Sequence, residues 1–315
     1  MSARGWALFA AVSVVWGMPY LFIKIGVEEL TPGFVAWSRV ALAALVLLPI
    51  AIKTGALRGL PLRWLVAFAA VEIAVPFPLI GFGEQRISSS LAAILIAALP
   101  LVVSFLAIRF DHAERPTPVR LAGMLVGLAG VVALVGIDIG GRGAELLGAA
   151  AVLAATLGYA CGPLIVKRHL AGADPLGPVT AAMAIASIML LPFGIGDFPT
   201  QTPATDTLVA IVVLGLVCSA AAFLLFFRLI AEVGPSRATV ITYVNPIVAL
   251  ALGVAVLGES VTAGAIAGLL LILAGSWLAT DGRLPPGLAA IVTRSRERRR
   301  DGTAARRTRP AELRG

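Results

Sequence analysis

Residues 121–130 read LAGMLVGLAG and residues 266–275 read IAGLLLILAG, so the two stretches agree at six of ten positions in a register of 145. The same register sets Glu114 on Glu259, and Pro100 meets Pro246 within one residue of it. Earlier in the chain a register of 143 aligns Trp16 with Tyr159, Lys24 with Lys167, and LLP at 47–49 with LLP at 190–192. Agreement held over so long a period marks an internal repeat.

The repeat is written in apolar residues. Of 315 residues 59% are hydrophobic and 13% charged, with a mean hydropathy of +0.97. That is far more apolar surface than one water-soluble core would hide. Ten apolar runs are expected to span a bilayer, at 5–25, 32–52, 62–82, 88–108, 118–137, 145–166, 176–196, 206–227, 236–257 and 261–280. Each is about 20 residues, and at about 1.5 Å per residue that matches the roughly 30 Å of hydrocarbon. The expected fold is an all-α integral membrane protein. An odd number of spans in each half makes the second copy enter from the opposite side, giving two inverted five-helix repeats, 5–137 and 145–280.

Positive charge orients the chain. Arg4, Lys53, Arg58, Arg63, Arg109, Arg115, Arg120, Lys167, Arg168, Arg228 and Arg237 collect on one side, against Arg86 and Arg142 on the other. Both termini are therefore expected in the cytoplasm of what composition reads as a bacterial cell. The segment 281–315 adds ten arginines against four acids. It reads as a basic, disordered cytoplasmic tail that fixes orientation and touches anionic lipid; no nucleic-acid-binding signature accompanies it. Cys161 and Cys218 lie in separate apolar runs and imply no disulfide framework. The apolar start is too long for a signal-peptide core and reads as a retained span.

With five plus five spans, and with AAILIAALPLVVSFLAI (92–108) and ATVITYVNPIVALALGVAVLGES (238–260) as fourth and ninth spans, each leading through a short acidic turn into a glycine-punctuated span, the chain resembles the drug/metabolite transporter superfamily, EamA type. The resemblance covers about residues 5–280. Glu259 in LGES stands where the family usually has its Gly-Glu pair, while the first half reads FDHAERPT around Glu114. The resemblance implies a secondary transporter that exports or exchanges small metabolites, amino acids among them, in the plasma membrane.

Polar residues inside spans usually face the bundle interior. Ser13, Trp16, Tyr20 and Lys24 share one helical face, as do Thr156, Tyr159, Pro163 and Lys167. Thr239, Thr242, Tyr243 and Pro246 repeat the pattern beside Asn245. Each stripe alone reads as ordinary interhelical bonding; three together point to one shared cavity. Lys24 and Lys167, at span ends, are expected to snorkel. Gly123, Gly127, Gly158 and Gly162 read as close helix contacts. Prolines 19, 76, 78, 100, 163 and 246 each leave a carbonyl four residues earlier without its donor.

Arg39 and Glu72 set the charge of that cavity. By helical rise they lie about 10 and 15 Å below the outer edge, near enough to bridge. Three roles stay open: an ion pair locking the second and third spans, a substrate role in which Arg39 holds a carboxylate or phosphate by its fork, or a coupling role in which Glu72 binds and releases a proton. The expected substrate-binding residues are thus Trp16, Tyr20, Arg39, Glu72, Tyr159, Thr242, Tyr243 and Asn245. The two histidines, His112 and His169, fall in loops, and neither H-E-x-x-H nor G-x-S-x-G occurs, which speaks against an enzyme; no cofactor or metal is expected. A channel or scaffold without alternating access is the rival reading.

Overall fold

The computed structural model describes residues 2–110, 117–136, 143–170, 172–233 and 241–279. Glu114, Arg142, Arg237, Thr239 and the tail 281–315 lie outside these residues, as does the side chain of Lys167. All regular structure among the described residues is helical. Six helices are long and apolar enough to cross a membrane: α1 (Ala3–Glu29), α2 (Pro32–Thr54), α3 (Leu62–Glu84), α4 (Ser89–Leu106), α6 (Gly143–Val166) and α8 (Thr205–Val233). Shorter apolar helices are α5 (Pro118–Leu134), α7 (Leu176–Met189), α9 (Ile241–Leu257) and α10 (Ala263–Ala279).

Local chemistry sets the ends. In α2, Thr31 caps the start by accepting from the Phe34 N–H at 3.2 Å, and Pro32 follows with its φ already helical. Gly55, at φ 71°, stops the helix in a conformation that favours glycine.

Prolines act as their missing donor requires at some places and not at others. α1 breaks at Met18 before Pro19, and α4 breaks between Ile96 and Leu99 before Pro100. Before Pro76, α3 widens into a π turn over Ala70–Ala74, where the Val75 N–H reaches back five residues to the Ala70 carbonyl at 3.0 Å. α6 and α9 instead run unbroken through Pro163 and Pro246. The span expected over 176–196 is interrupted at Leu190, and a short helix, Leu191–Gly196, follows with Pro192 in its first turn. A second π stretch, Val213–Ala221 in α8, contains no proline at all.

One apolar core, with Val40, Leu47, Ile73 and Met183, joins α2, α3 and α7; another, with Leu95, Leu134, Val152 and Ile272, joins α4, α5, α6 and α10. α3 packs on α6 and α1 on α8; α4 packs on α6 and α1 on α9; α2 packs on α8 and α7 on α3. The pairs α2–α7, α4–α9 and α5–α10 are also in contact. In the last pair the glycines bring backbone against backbone: a Cβ on Gly123 would lie 2.6 Å from Leu278 Cβ and 2.7 Å from the Gly275 carbonyl oxygen.

Candidate functional site

Arg39 is built into the middle of the bundle, 7% exposed. Its Nε donates to Ser219 Oγ at 2.7 Å, and its guanidinium sits over the Phe77 ring at 4.1 Å from the centroid. Ser219 is available because of the π stretch in α8: its hydroxyl donates to the Leu214 carbonyl five residues back at 2.8 Å and still accepts from Arg39. Charge-assisted bonding and a ring face together offset part of the cost of burying a cation. The terminal nitrogens of Arg39 make no hydrogen bond among the described residues. Arg39 therefore has a seat and a free fork.

Tyr20, Tyr159, Cys218 and Glu84 all lie within electrostatic reach of Arg39. Tyr159 is also within reach of Glu72 on α3. The ion pair considered for Arg39 and Glu72 is not formed: Arg39 turns to Ser219 and Phe77, and Glu72 Oε2 is buried without a protein hydrogen-bond partner. Glu72 occupies instead the space that Gly162 leaves on α6, where a Cβ would lie 2.8 Å from Glu72 Cδ. Gly158 likewise admits α3, its Cβ position being 2.5 Å from the Val71 carbonyl oxygen.

The other sequence-derived residues fall along α1 and α9. Trp16 packs on α8, with ring centroids 5.5 Å from Phe223 and 4.6 Å from Phe226. The Asn245 amide, with its nitrogen toward the acceptors, donates to the Ser13 carbonyl at 3.2 Å and to the Ile241 carbonyl at 2.9 Å, tying α9 to α1. Gly17 sits at this crossing, where a Cβ would lie 2.5 Å from Val248 Cβ. Thr242 and Tyr243 are half-buried on α9, and each is engaged by a neighbour. Tyr20, Arg39, Tyr159 and Glu72 thus form one neighbourhood, and Trp16 and Asn245 mark the α1 contacts with α8 and α9.

At one end of the bundle two charged side chains close the α3–α4 turn. Lys24 does not snorkel; its Nζ donates to the backbone carbonyl of Glu84 and, at 3.1 Å, to that of Ile87. A cation at a helix C-terminus is favoured by the open carbonyls and by the dipole. Glu259 accepts from the N–H groups of Ser89 at 2.7 Å and Ser90 at 3.0 Å and from the Ser90 hydroxyl, so it caps the start of α4. Beside it opens a cavity of about 330 Å³ lined by Arg86, Ser90, Glu145, Glu259, Ser260 and Thr262. Glu259→Ala should cost about 1–3 kcal/mol by stranding those donors. Denaturant unfolding of the purified protein in detergent checks this, with Glu259→Gln expected to cost less because it retains an acceptor.

Sequence reasoning missed Ser219, Phe77 and Glu84. Ser219 carried a faint signal as a hydroxyl inside the eighth run. Glu84 lay just past the limit drawn for the third span and so passed as a loop residue.

The sequence model of the EamA-like transporter family matches residues 3–136 and again 146–280. A protein of Escherichia coli strain K12 named "Uncharacterized inner membrane transporter YedA" is 30% identical over 267 residues, 81% of this chain and 83% of its own length. A "Probable amino-acid metabolite efflux pump" of Salmonella typhimurium is 26% identical over 88% of this chain and 95% of its own. A crystal structure with 18% identity superposes over 89% of this chain and 97% of its own with a TM-score of 0.63, a likeness of fold. Apolar helices, a doubled family match and transporter relatives agree: the chain is a multi-pass membrane transporter rather than an enzyme, and it belongs to the EamA-like transporter family.

Proposed function

We propose that the chain is a secondary carrier of small metabolites that exports amino acids or related compounds by alternating access between two inverted five-helix repeats. One observation carries this reading. If each helix is replaced by the one five places away, α3–α6 becomes α8–α1, α4–α6 becomes α9–α1, and α2–α8 becomes α7–α3, while α2–α7, α4–α9 and α5–α10 map onto themselves. These contacts map onto one another when the halves are exchanged, while those of α1 with α2, α3 and α4 have no equally close counterpart; the matched set supports two halves that swap conformations. The π turns of α3 and α8 fall at equivalent places in the two repeats. In this reading all ten helices cross the membrane and both termini are cytoplasmic.

The cargo docks a carboxylate on the free fork of Arg39, with Tyr20, Tyr159, Trp16 and Tyr243 as apolar walls and Thr242 and Asn245 near the hinge between α1 and α9. The names of relatives as amino-acid efflux pumps support this cargo class. Glu72, its Oε2 buried and within reach of Tyr159, takes the ammonium of the cargo or a proton.

The test is counterflow: vesicles holding the purified protein and loaded with unlabelled amino acids should transiently concentrate labelled ones, and saturably. Flux that follows the gradient alone, without saturation or overshoot, belongs to a channel and ends the carrier reading. Glu72→Gln is expected to abolish pH-driven accumulation while leaving counterflow measurable. Intact pH-driven transport in that variant would remove Glu72 from coupling.

A further inference from the structure

Glu84 is 0% exposed, and neither carboxyl oxygen has a protein hydrogen-bond partner. An isolated carboxylate so placed is strongly disfavoured unless it is paired or neutral. A cation stands close by, yet it is engaged elsewhere. The Lys24 ammonium spends its bonds on the main-chain carbonyls of Glu84 and Ile87. The other groups facing Glu84 are Tyr20 on α1, Arg39 on α2 and Glu259 from the α9–α10 connection. From α6, Gly148 and Val152 press on the adjacent Gly83, and Glu145 lines the neighbouring cavity together with Arg86 and Glu259. α4 opens with Ser89, whose own hydroxyl is buried without a partner.

We propose that Glu84 is a proton-binding site that controls the α3–α4 end of the bundle, a role that rests on the carrier reading only where it concerns transport. With the proton on, the carboxyl is neutral, tolerates its dry site, and leaves Lys24 on the Glu84 carbonyl that ends α3 and the Ile87 carbonyl of the turn. When the proton leaves, the carboxylate draws the Lys24 ammonium onto itself. The carbonyls of Glu84 and Ile87 then lose their donor, and α1 is released from the α3–α4 turn while Glu259 still holds the start of α4. One proton and one lysine thus exchange a closed end for a loosened one. Both states keep the ammonium bonded, which makes the exchange accessible. A sodium ion is a poorer occupant, because the Lys24 ammonium already supplies a positive charge here.

The experiment uses the full chain in lipid and needs no cargo. Infrared difference spectra across a pH titration should contain the C=O stretch of a protonated carboxyl that disappears at high pH. That component should be lost in Glu84→Gln and retained in Glu72→Gln. Glu84→Asp, which keeps a carboxyl in case the glutamine variant folds poorly, should return the band at a shifted frequency. A titrating band that none of the Glu84 variants alters, or no such band at all, overturns the proposal. If counterflow fails while the Glu84 band persists, the carrier reading falls and the proton site stands. If counterflow succeeds and the band is absent, the reverse holds.

Discussion

Cells overproducing the Arg39→Ala variant should release at least about a hundredfold less of the cargo than cells with the intact protein at matched membrane levels. The size follows from two charge-assisted hydrogen bonds between a guanidinium fork and a carboxylate, each worth roughly 1.5–3 kcal/mol. The structure leaves that fork available, since Arg39 commits Nε to Ser219 and its ring-facing plane to Phe77. Arg39→Lys should restore little of the loss, because an ammonium reproduces neither the fork nor the planar stacking. Metabolite profiling of the medium, compared with an empty control, checks both variants and identifies the cargo. Equal release from intact protein and Arg39→Ala would sink the substrate role. Arg39 would then be a tie between α2 and α8, and Ser219→Ala should destabilise the protein to a similar extent.

Gly275→Val should destabilise the protein by about 3 kcal/mol or more, since the added atoms have backbone rather than side-chain tips to displace. A Cβ there would lie 2.5 Å from Gly127 Cα and 2.7 Å from the Gly123 carbonyl oxygen. α5 and α10 would have to separate along their length. Gly136→Ala is the matching control, because nothing lies within 4 Å of its Cβ position. Thermal unfolding in detergent should fall sharply for the first and hardly move for the second. A small effect of Gly275→Val would mean that the α5–α10 contact contributes little to the bundle.

What sequence made legible follows from what each signal encodes. Hydropathy encodes burial in lipid, so the helices and their approximate limits were readable, as were Gly123 and Gly127 as close contacts. Proline encodes a missing donor, and it located the breaks at Met18 and near Ala98 and the π turn before Pro76. It did not foretell that α6 and α9 run straight through theirs, because neighbouring helices decide whether a weakened ladder bends. The π stretch of α8 has no marker residue, so Ser219 was not legible as the partner of Arg39. The Arg39–Glu72 pair, one of the three roles left open, rested on depth along the membrane normal. Depth ignores azimuth, and Glu72 turns toward Gly162 on α6 instead. Tyr20, Arg39 and Tyr159 could be singled out because an aromatic or charged residue inside an apolar run is costly enough to need a reason.

The cap on α4 has a consequence for biosynthesis. Glu259 lies 170 residues after Ser89, whose N–H it receives. At about 5–20 residues per second a ribosome needs on the order of 10 to 30 s to reach it. Throughout that interval the Ser89 and Ser90 N–H groups wait for their acceptor, and only the local Ser88 hydroxyl, which accepts from the Leu91 N–H, caps α4. Lys24, made before α3, is ready at once to hold the other side of the turn. The α3–α4 turn is thus held on one side by a residue made early and on the other by one made 170 residues later, so a product released before Glu259 emerges leaves the Ser89 and Ser90 donors without their carboxylate.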